Sequence, residues 1–255
     1  MEIISVNIQK GGCGKTTSVQ CLSEILSSKY NMKILCIDTD AQCNLTTVSG
    51  VRPEQCKHNV YTLLRGESKI QDCIIKTKYY DLVPGSVLLA SADNDFNKIG
   101  KEQFLKEKLK DVEYDIIFID TPPALSLLNI MSLTASTKVL IPTECSYLSM
   151  IGLNQLYETI ETVRKYLNSN LKILGLVMIK YNGRTNINHA IVEALNETVQ
   201  VMGTKIYDTK IRETVKIKEA QSQLTPVLDW DSKCTAILDY EALAAEIYSD
   251  INKII

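Results

Sequence analysis

The sequence lacks the features of a membrane-spanning, secreted or zinc-binding protein. It has no apolar run of the roughly 18 to 20 residues that a transmembrane helix requires. Its eight cysteines include no C-x-x-C pair, and the two closest in sequence are Cys36 and Cys43, so a zinc or dithiol site has little support. Eight cysteines without an apolar signal segment instead favour a soluble protein of the reducing cytoplasm.

The chain also lacks a strong charge bias and a linker. Its formal net charge is −2, so the bulk composition does not indicate a nucleic-acid or anionic-membrane partner, and any such surface would be a local patch. No internal repeat, low-complexity tract or Gly/Ser-rich linker interrupts the sequence. We therefore expect residues 1–255 to form a single domain, long enough to bury a full core.

Short apolar runs rich in Ile, Val and Leu recur along the chain. They are apolar at successive positions rather than alternating, which is typical of strands covered by helices on both faces. These runs are 3–7, 33–38, 114–120, 138–142 and 172–179, and helical periodicity is found at about 16–29, 101–111, 146–167 and 185–201. Strand followed by helix, repeated, predicts an α/β fold with a mostly parallel, doubly wound sheet flanked by helices.

The first strand-like run leads directly into "NIQKGGCGKTT", residues 7–17, which matches a phosphate-binding loop with one departure. The pattern G-x-x-x-x-G-K-[ST] requires a glycine at the position of Gln9. Glycines adopt backbone angles that point successive N–H groups at one anion, and the dipole of the following helix adds to this attraction. The residues expected to bind nucleotide phosphates are Gly11, Gly12, Cys13, Gly14, Lys15, Thr16 and Thr17.

Individual side chains of this loop have distinct expected roles. Lys15 would reach the β- and γ-phosphates, and the Thr16 hydroxyl would ligate Mg²⁺. Thr17 either donates to an α-phosphate oxygen or only caps the helix. Cys13 occupies the variable position, either as a neutral filler, which we favour, or as a redox-sensitive thiol whose pKa the helix N-terminus lowers.

Three acidic residues follow strand-like runs. Asp120 ends "DIIFID", Asp38 ends "KILCID", and Asp40 lies shortly after it. Open α/β sheets bind ligands at the carboxyl ends of their strands. We therefore expect Asp120 to bind Mg²⁺ directly or through water, Asp38 to support the same metal site, and Asp40 to orient the attacking water. The alternative for Asp38 or Asp40 is a cap in a polar turn.

Together these segments resemble the deviant Walker A ATPases of the ParA/MinD type, whose loop reads K-G-G-x-G-K-[ST], here residues 10–16. The likeness is greatest to the small ParA/Soj partition ATPases and runs through nearly the whole chain. The family's D-x-D-P-Q-G-N stretch appears as "DTDAQCN", with Ala41 and Cys43 in place of Pro and Gly. The other matching segments are 82–93, 119–136, 142–156, 181–195 and 211–231.

The resemblance implies a P-loop NTPase of the MinD-like (SIMIBI) class that uses ATP and Mg²⁺. Its members form an ATP-dependent sandwich homodimer in which the extra lysine, here Lys10, touches the phosphates of the partner subunit. The catalytic residues would then be Lys10, Lys15 and Asp40, and Asn182 lies in the segment implied to contact adenine. Taken alone, Lys10 could be a solvated loop lysine, but the rest of the motif favours the cross-subunit role.

The resemblance further implies that the ATP-bound dimer binds nonspecific DNA. Segment 205–219 contains five basic residues (Lys205, Lys210, Arg212, Lys216 and Lys218) against three acidic ones (Asp208, Glu213 and Glu219), so composition alone indicates an ordinary solvated face. The candidate DNA contacts are Arg184, Arg212, Lys216 and Lys218.

The C-terminal segment argues against a membrane partner. In "YEALAAEIYSDINKII", Leu243, Ile247 and Ile251 recur on one helical face beside acidic residues, which indicates a core-packing helix rather than a basic membrane anchor. The first strand begins near residue 2, so we expect no separate N-terminal DNA-reading domain.

The expected function is a slow Mg²⁺-dependent ATPase that segregates a plasmid, mobile element or chromosome with a ParB-like centromere-binding protein. Its location would be the bacterial cytoplasm, in association with the nucleoid. A related ATPase that positions a protein assembly, MinD-like or associated with conjugation or division, is the first alternative. A metabolic P-loop enzyme, such as an ATP-dependent ligase or a metal-cofactor chaperone, is the second.

Overall fold

The computed structural model describes residues 1–96, 98–182 and 186–252. The described strands are, in chain order, β1 (Glu2–Val6), β2 (Ile34–Asp38), β3 (Ile75–Lys76), β4 (Asp81–Val83), β5 (Ile116–Asp120), β6 (Lys138–Glu144), β7 (Lys172–Tyr181) and β8 (Ile206–Arg212). They form a sheet in the order β3-β4-β2-β5-β1-β6-β7-β8. Among these described strands, neighbours run parallel except β3 and β4, which are antiparallel.

Helices connect most of the strands. In chain order they are α1 (Lys15–Tyr30), α2 (Asn44–Val48), α3 (Val60–Arg65), α4 (Ile70–Cys73), α5 (Ala92–Asp95), α6 (Phe104–Lys108), α7 (Leu127–Ala135), α8 (Tyr147–Tyr166), α9 (Asn186–Val201), α10 (Val215–Ser222), α11 (Val227–Asp231) and α12 (Thr235–Asn252). Short 3₁₀ segments are found at Pro53–Gln55, Val87–Ser91, Lys101–Gln103 and Leu109–Asp111.

The central strands are apolar on both faces because helices cover both faces. In β5, Ile116 and Phe118 pack into a cluster with α1, α8 and α12, whereas Ile117 and Ile119 pack into a second cluster with α3, α6 and α7. Successive side chains of a strand point to opposite faces, so a run such as "IIFI" supplies both cores. The predicted doubly wound, mostly parallel α/β fold is confirmed.

The strand order brings the predicted site residues to one edge of the sheet. β5 lies between β1 and β2, and Asp120 is in register with Val6 on one side and Asp38 on the other. The chain leaves β1 into the glycine loop and enters α1 at Lys15. Since these strands are parallel, their carboxyl ends, and the loop that follows β1, meet at the same place.

The sequence pattern missed the edges of the sheet. β8 has only two buried residues, Tyr207 and Ile211, and β3 and β4 are only two and three residues long, so none of them shows a continuous apolar run. The helix expected at 101–111 is instead divided into two 3₁₀ segments around α6. In α12, Leu243 and Ile247 are fully buried, which confirms the expected core-packing helix. Within the described part of the chain, no helix is both long and apolar enough to cross a membrane.

Candidate functional site: the glycine loop and its strand-end carboxylates

The glycine loop has the backbone geometry that the sequence predicts. Gly12 and Gly14 have φ values of +74° and +64°, in the left-handed region that favours glycine. A Cβ at Gly14 would also lie 2.9 Å from Cδ1 of Ile179. The conformation at Gly14 therefore favours glycine, and a larger residue would also have to displace the Ile179 methyl group.

The loop lines a cavity of about 610 Å³. Residues 11–17 contribute to its wall, together with Asp40 from the segment after β2. Other lining residues come from the C-terminal third of the chain, including Ile211 at the end of β8 and Lys218 and Gln221 on α10. The structure thus brings residues from three distant segments around one space at the start of α1.

Lys15 is held inside this loop rather than in solvent. Its Nζ donates to the carbonyl oxygens of Lys10, at 3.2 Å, and Ile8, at 3.5 Å. Burial lowers the pKa of Lys15, and the nearby charge of Asp120 opposes that effect. A buried ammonium that contacts only carbonyl oxygens among the described residues is well placed to exchange them for phosphate oxygens.

Asp120 joins the loop through Thr16. The hydroxyl of Thr16 donates to Asp120 Oδ2 at 2.6 Å. Asp120 is fully buried, and its Oδ1 has no hydrogen-bond partner among the described residues. Burial, with the neighbouring charge of Asp38, raises the pKa of Asp120 well above its usual value. A hydroxyl next to an unpartnered carboxylate oxygen fits a divalent cation, which would supply the missing partner and offset the buried charge.

Asp38 has both carboxylate oxygens occupied by its own chain. Oδ2 accepts from the backbone N–H and the hydroxyl of Thr46, at 2.8 and 2.6 Å, and Oδ1 accepts from the Asp40 N–H at 3.2 Å. Burial raises the pKa of Asp38 to about 6, although these hydrogen bonds lower it. A Cβ at Gly85 would lie 3.0 Å from Cγ of Asp38, so the loop after β4 packs directly on this carboxylate. Sequence reasoning identified neither Thr46 nor Gly85.

Asp40 accepts one hydrogen bond within its own turn and also lines the cavity. Its Oδ1 accepts from the N–H of Gln42 at 2.9 Å, as in an Asx turn, and its side chain lines the cavity with the loop. Within the described residues, no three His, Cys, Asp or Glu side chains converge as a ready metal cluster. Thr16, the nucleotide and water would supply further ligands to a cation at this site.

Lys10 contacts its own subunit. Its Nζ lies 2.8 Å from Glu144 Oε2 and donates to the hydroxyls of Ser146 and Ser149 at 3.2 and 3.1 Å. Lys180 Nζ binds the other oxygen of Glu144 at 2.6 Å and the carbonyl of Gly12 at 2.8 Å.

Glu144 therefore links Lys10 of the loop to Lys180 near the end of β7. Partial burial opposes ionisation of Glu144, but the hydrogen bonds from Lys10 and Lys180 bring its pKa below the usual value. Glu144, Ser146 and Ser149 lie in segment 142–156, which resembles the ParA/Soj family. No site residue in that segment was predicted from the sequence.

Gly152 allows α8 to pack closely against Gln9, which occupies the position of the first glycine in the general loop pattern. A Cβ at Gly152 would lie 3.1 Å from the carbonyl oxygen of Gln9. The side chain of Gln9 reaches along the same helix to Thr159 at 3.3 Å. The loop thus has Gln9 in place of a glycine, and the helix that packs against Gln9 has a glycine at the point of contact.

The Cys13 thiol is fully buried. Burial, followed by the charge of Glu144, raises its pKa despite the nearby lysines. A raised pKa keeps the thiol protonated, which favours a neutral filler over a reactive thiolate.

Comparison with known proteins agrees with this geometry. The model of the AAA domain family matches residues 1–173. The sporulation initiation inhibitor protein Soj of Bacillus subtilis is 34% identical over 99% of this chain and 97% of its own length. The chromosome partitioning protein ParA of Caulobacter vibrioides is 31% identical, over 98% and 94% of the two chains. The chain belongs to the ParA/Soj family of partition ATPases.

Two of the solved structures similar to this ParA/Soj-family chain contain nucleotide and magnesium. Cobyrinic acid a,c-diamide synthase of Mycobacterium smegmatis, with an ATP analogue and magnesium, has a TM-score of 0.84 and 26% identity, covering 97% of this chain and 94% of that one. The septum site-determining protein MinD of Pyrococcus horikoshii, with Mg-ADP, has a TM-score of 0.77 and 25% identity, covering 96% and 95%.

The predicted DNA contacts of this ParA/Soj-family chain have acidic neighbours where the structure describes them. Arg212 forms a two-pronged ion pair with Asp239, at 2.9 and 2.7 Å. Lys216 pairs with Glu219 at 3.0 Å, and Lys218 lies 3.8 Å from Glu213. Arg184 lies outside the described residues.

The predicted adenine contact, Asn182, directly follows β7 and is exposed. It is one residue beyond Tyr181 and two beyond Lys180, whose side chain contacts the loop at Gly12. The contact of Lys180 with Gly12 holds the end of β7, which Asn182 follows, next to the phosphate-binding loop.

Proposed function

We propose that this chain is an ATP-hydrolysing switch for DNA partition, with residues 1–255 acting as one ATPase domain. Two chains close around two Mg·ATP, the dimer binds nonspecific DNA, and hydrolysis releases it. The switch segregates a plasmid, mobile element or chromosome on the nucleoid of a bacterial cytoplasm, and a ParB-like protein stimulates it. The observation that carries this proposal is the 2.6 Å Thr16–Asp120 hydrogen bond beside a two-lysine loop in a ParA/Soj-family chain.

The nucleotide and its Mg²⁺ fit the described cavity. Thr16 and Asp120 would hold the cation, and Asp38 would support it by fixing the loop after β2. When bound, Mg²⁺ neutralises charge on the phosphate oxygens. The residues that would bind the nucleotide are Lys10, Gly11, Gly12, Cys13, Gly14, Lys15, Thr16, Thr17 and Asn182.

Catalysis in this proposal consists of positioning and charge neutralisation. The Lys15 ammonium exchanges its two carbonyl contacts for phosphate oxygens, and Asp40 accepts a hydrogen bond from the attacking water. Lys10 completes the site from the partner subunit, after leaving Glu144. The proposed active site is therefore incomplete in one subunit, so we expect a monomer to hydrolyse ATP slowly.

DNA binding would use cationic side chains in the C-terminal third. The proposed contacts are Arg184, Arg212, Lys216 and Lys218. Each described member has an acidic neighbour, so one subunit presents little net positive charge. A dimer doubles the surface, which makes weak phosphate contacts useful together and makes binding steeply dependent on salt.

A related ATPase that positions a protein assembly is the second candidate. The likeness to the Pyrococcus MinD structure favours it, as do the acidic partners of Arg212, Lys216 and Lys218. The two candidates share the nucleotide site and differ in what the dimer binds.

One experiment separates them. Retention of nonspecific DNA is measured with ATP, with ADP and without nucleotide, at two salt concentrations, for the wild type, Lys15→Ala and Lys216→Ala. The exposed Lys172→Ala is the matched control. The proposal expects DNA retention only with ATP, loss of retention in Lys15→Ala, and a smaller salt dependence in Lys216→Ala.

The remaining outcomes are also informative. Hydrolysis of ATP without any ATP-dependent DNA retention contradicts the partition proposal and favours positioning of a protein assembly. Absence of ATP hydrolysis, alone and with DNA, contradicts both candidates.

A further inference from the structure

A row of polar side chains on α1 faces the segment that contains α10 and α11. Thr17, Gln20 and Glu24 are three and four residues apart, so they lie on one face of the helix. Gln20 and Glu24 are each only 1% exposed. Buried polar groups are costly unless they are hydrogen-bonded, so their partners matter.

These side chains form a continuous hydrogen-bonded row with Gln221. The Gln221 Nε2 donates to Gln20 Oε1 at 2.9 Å and lies 3.4 Å from Thr17 Oγ1. Gln20 Nε2 donates to Glu24 Oε1 at 3.1 Å. Glu24 Oε2 accepts from the backbone N–H of Leu228 at 3.0 Å. The row therefore runs from the first turn of α1 to the start of α11.

The hydrogen bonds at the Glu24 end determine which atom donates at each step of the row. A backbone N–H can only donate, and Glu24 accepts on both oxygens from Leu228 and Gln20. With Glu24 ionised, the amide nitrogen of Gln20 faces Glu24, which leaves the Gln20 oxygen to accept from Gln221. This arrangement directs the Gln221 amide nitrogen towards Gln20 and Thr17.

Gln221 also lines the cavity together with Thr17. A threonine hydroxyl has one proton to donate and two lone pairs to accept with. If Gln221 donates to a lone pair of Thr17 Oγ1, the hydroxyl proton remains available for an acceptor in the cavity. Acceptance of one hydrogen bond also strengthens the hydroxyl as a donor.

We infer that Gln221 is a positioning residue for the nucleotide, which acts by orienting the Thr17 hydroxyl towards an α-phosphate oxygen. This inference rests on the proposed function, because it requires a nucleotide in the cavity. Gln20 and Glu24 set the orientation of the Gln221 amide. The same contacts hold α10 against α1.

The test measures the affinity of the full chain for fluorescent ADP and for a fluorescent, non-hydrolysable ATP analogue with Mg²⁺. The variants are Gln221→Leu, Thr17→Val and the double variant. Gln223→Leu, on the same segment but exposed, is the matched control. The inference expects Gln221→Leu to weaken both nucleotides equally, by about two- to tenfold, because the α-phosphate is common to both.

The double variant distinguishes positioning from a general structural role. If Gln221 acts through Thr17, Gln221→Leu has no further effect in the Thr17→Val background. Equal losses in both backgrounds, or an affinity of Gln221→Leu that matches Gln223→Leu, overturn the inference. Failure of the wild type to bind either nucleotide contradicts the proposed function instead, so the two failures are distinguishable.

Discussion

Lys10 Nζ lies 2.8 Å from Glu144 Oε2, so the lysine that distinguishes this loop is paired within its own subunit. The two residues are 134 positions apart in the chain and meet because β1 and β6 are neighbours in the sheet. In the proposed dimer Lys10 contacts the phosphates of the partner. Glu144 therefore competes with the partner's nucleotide for the same ammonium group.

The first prediction concerns Glu144→Gln. Loss of the charge frees Lys10 and Lys180 from an ion pair, and partly exposed pairs of this kind contribute about 0.2–1 kcal/mol. We expect the dimer dissociation constant with a non-hydrolysable ATP analogue to fall by about two- to fivefold. Sedimentation equilibrium measures it.

The matched control for Glu144→Gln is Glu161→Gln. That change removes an ion pair with Arg164 within α8, at 2.6 Å, without touching the loop. A dissociation constant for Glu144→Gln that equals or exceeds that of Glu161→Gln contradicts the proposed competition.

Lys10→Ala tests the cross-subunit role directly. Because Lys15 remains in the loop, we expect the variant to retain nucleotide binding as a monomer but to form no dimer with ATP. Size-exclusion chromatography with light scattering gives the mass, and nucleotide titration gives the affinity. Lys29→Ala, which loses the surface pair with Glu241, is the control. Normal dimers of Lys10→Ala with ATP would refute the role.

Asp120→Asn should affect stability and function in opposite directions. Removing one of two neighbouring buried carboxylates relieves the burial and repulsion that raise the pKa of Asp120. Each 1 kcal/mol gained raises the melting temperature by roughly 2–4 °C in a chain of this size, and we expect a rise of that order without nucleotide. Mg²⁺-dependent ATP hydrolysis should fall about tenfold or more, because a carboxylate oxygen is lost from the cation site.

Thermal unfolding and phosphate-release measurements check both parts of this prediction. The exposed Glu113→Gln, just before β5, is the control and should change neither. Retention of full Mg²⁺-dependent hydrolysis by Asp120→Asn would remove Asp120 from the proposed cation site.

The stability of the chain should depend on pH through Glu24. Burial raises the pKa of Glu24 from 4.5 to about 7, against the hydrogen bonds from Leu228, Val227 and Gln20, and the charge of Asp229 adds to the rise. A carboxyl whose pKa is raised on folding binds its proton more tightly in the folded state. Its contribution to the free energy of unfolding is therefore greatest at low pH and is lost as pH rises from about 4.5 to 7.

The expected loss over that interval is on the order of 3 kcal/mol. Urea unfolding from pH 5 to 8, for the wild type and Glu24→Gln, gives the difference in free energy at each pH. We expect the advantage of the wild type over Glu24→Gln to decrease as pH rises. Glu24→Leu, which also lacks a titrating group, should show the same trend. A pH-independent difference for both variants would contradict it.

The central strands and the glycine loop could be predicted because their signals are local. In β5 every residue is buried, so the apolar run "IIFI" was visible without knowledge of its neighbours. Gly12 and Gly14 occupy positions where φ is positive, so the loop motif reflects a local stereochemical requirement. The edge strand β8 was missed because its half-exposed pattern depends on what covers it.

The amino-acid sequence by itself determined the fold class, the loop, the helix that follows it and the carboxylate at the end of β5, since each rests on short-range periodicity or backbone stereochemistry. Only the tertiary structure decided the partners of those residues. The pairing of Lys10 with Glu144 depends on strand order, and that of Gln20 with Gln221 spans 201 positions. Such contacts arise from the packing of distant segments, which no local pattern encodes.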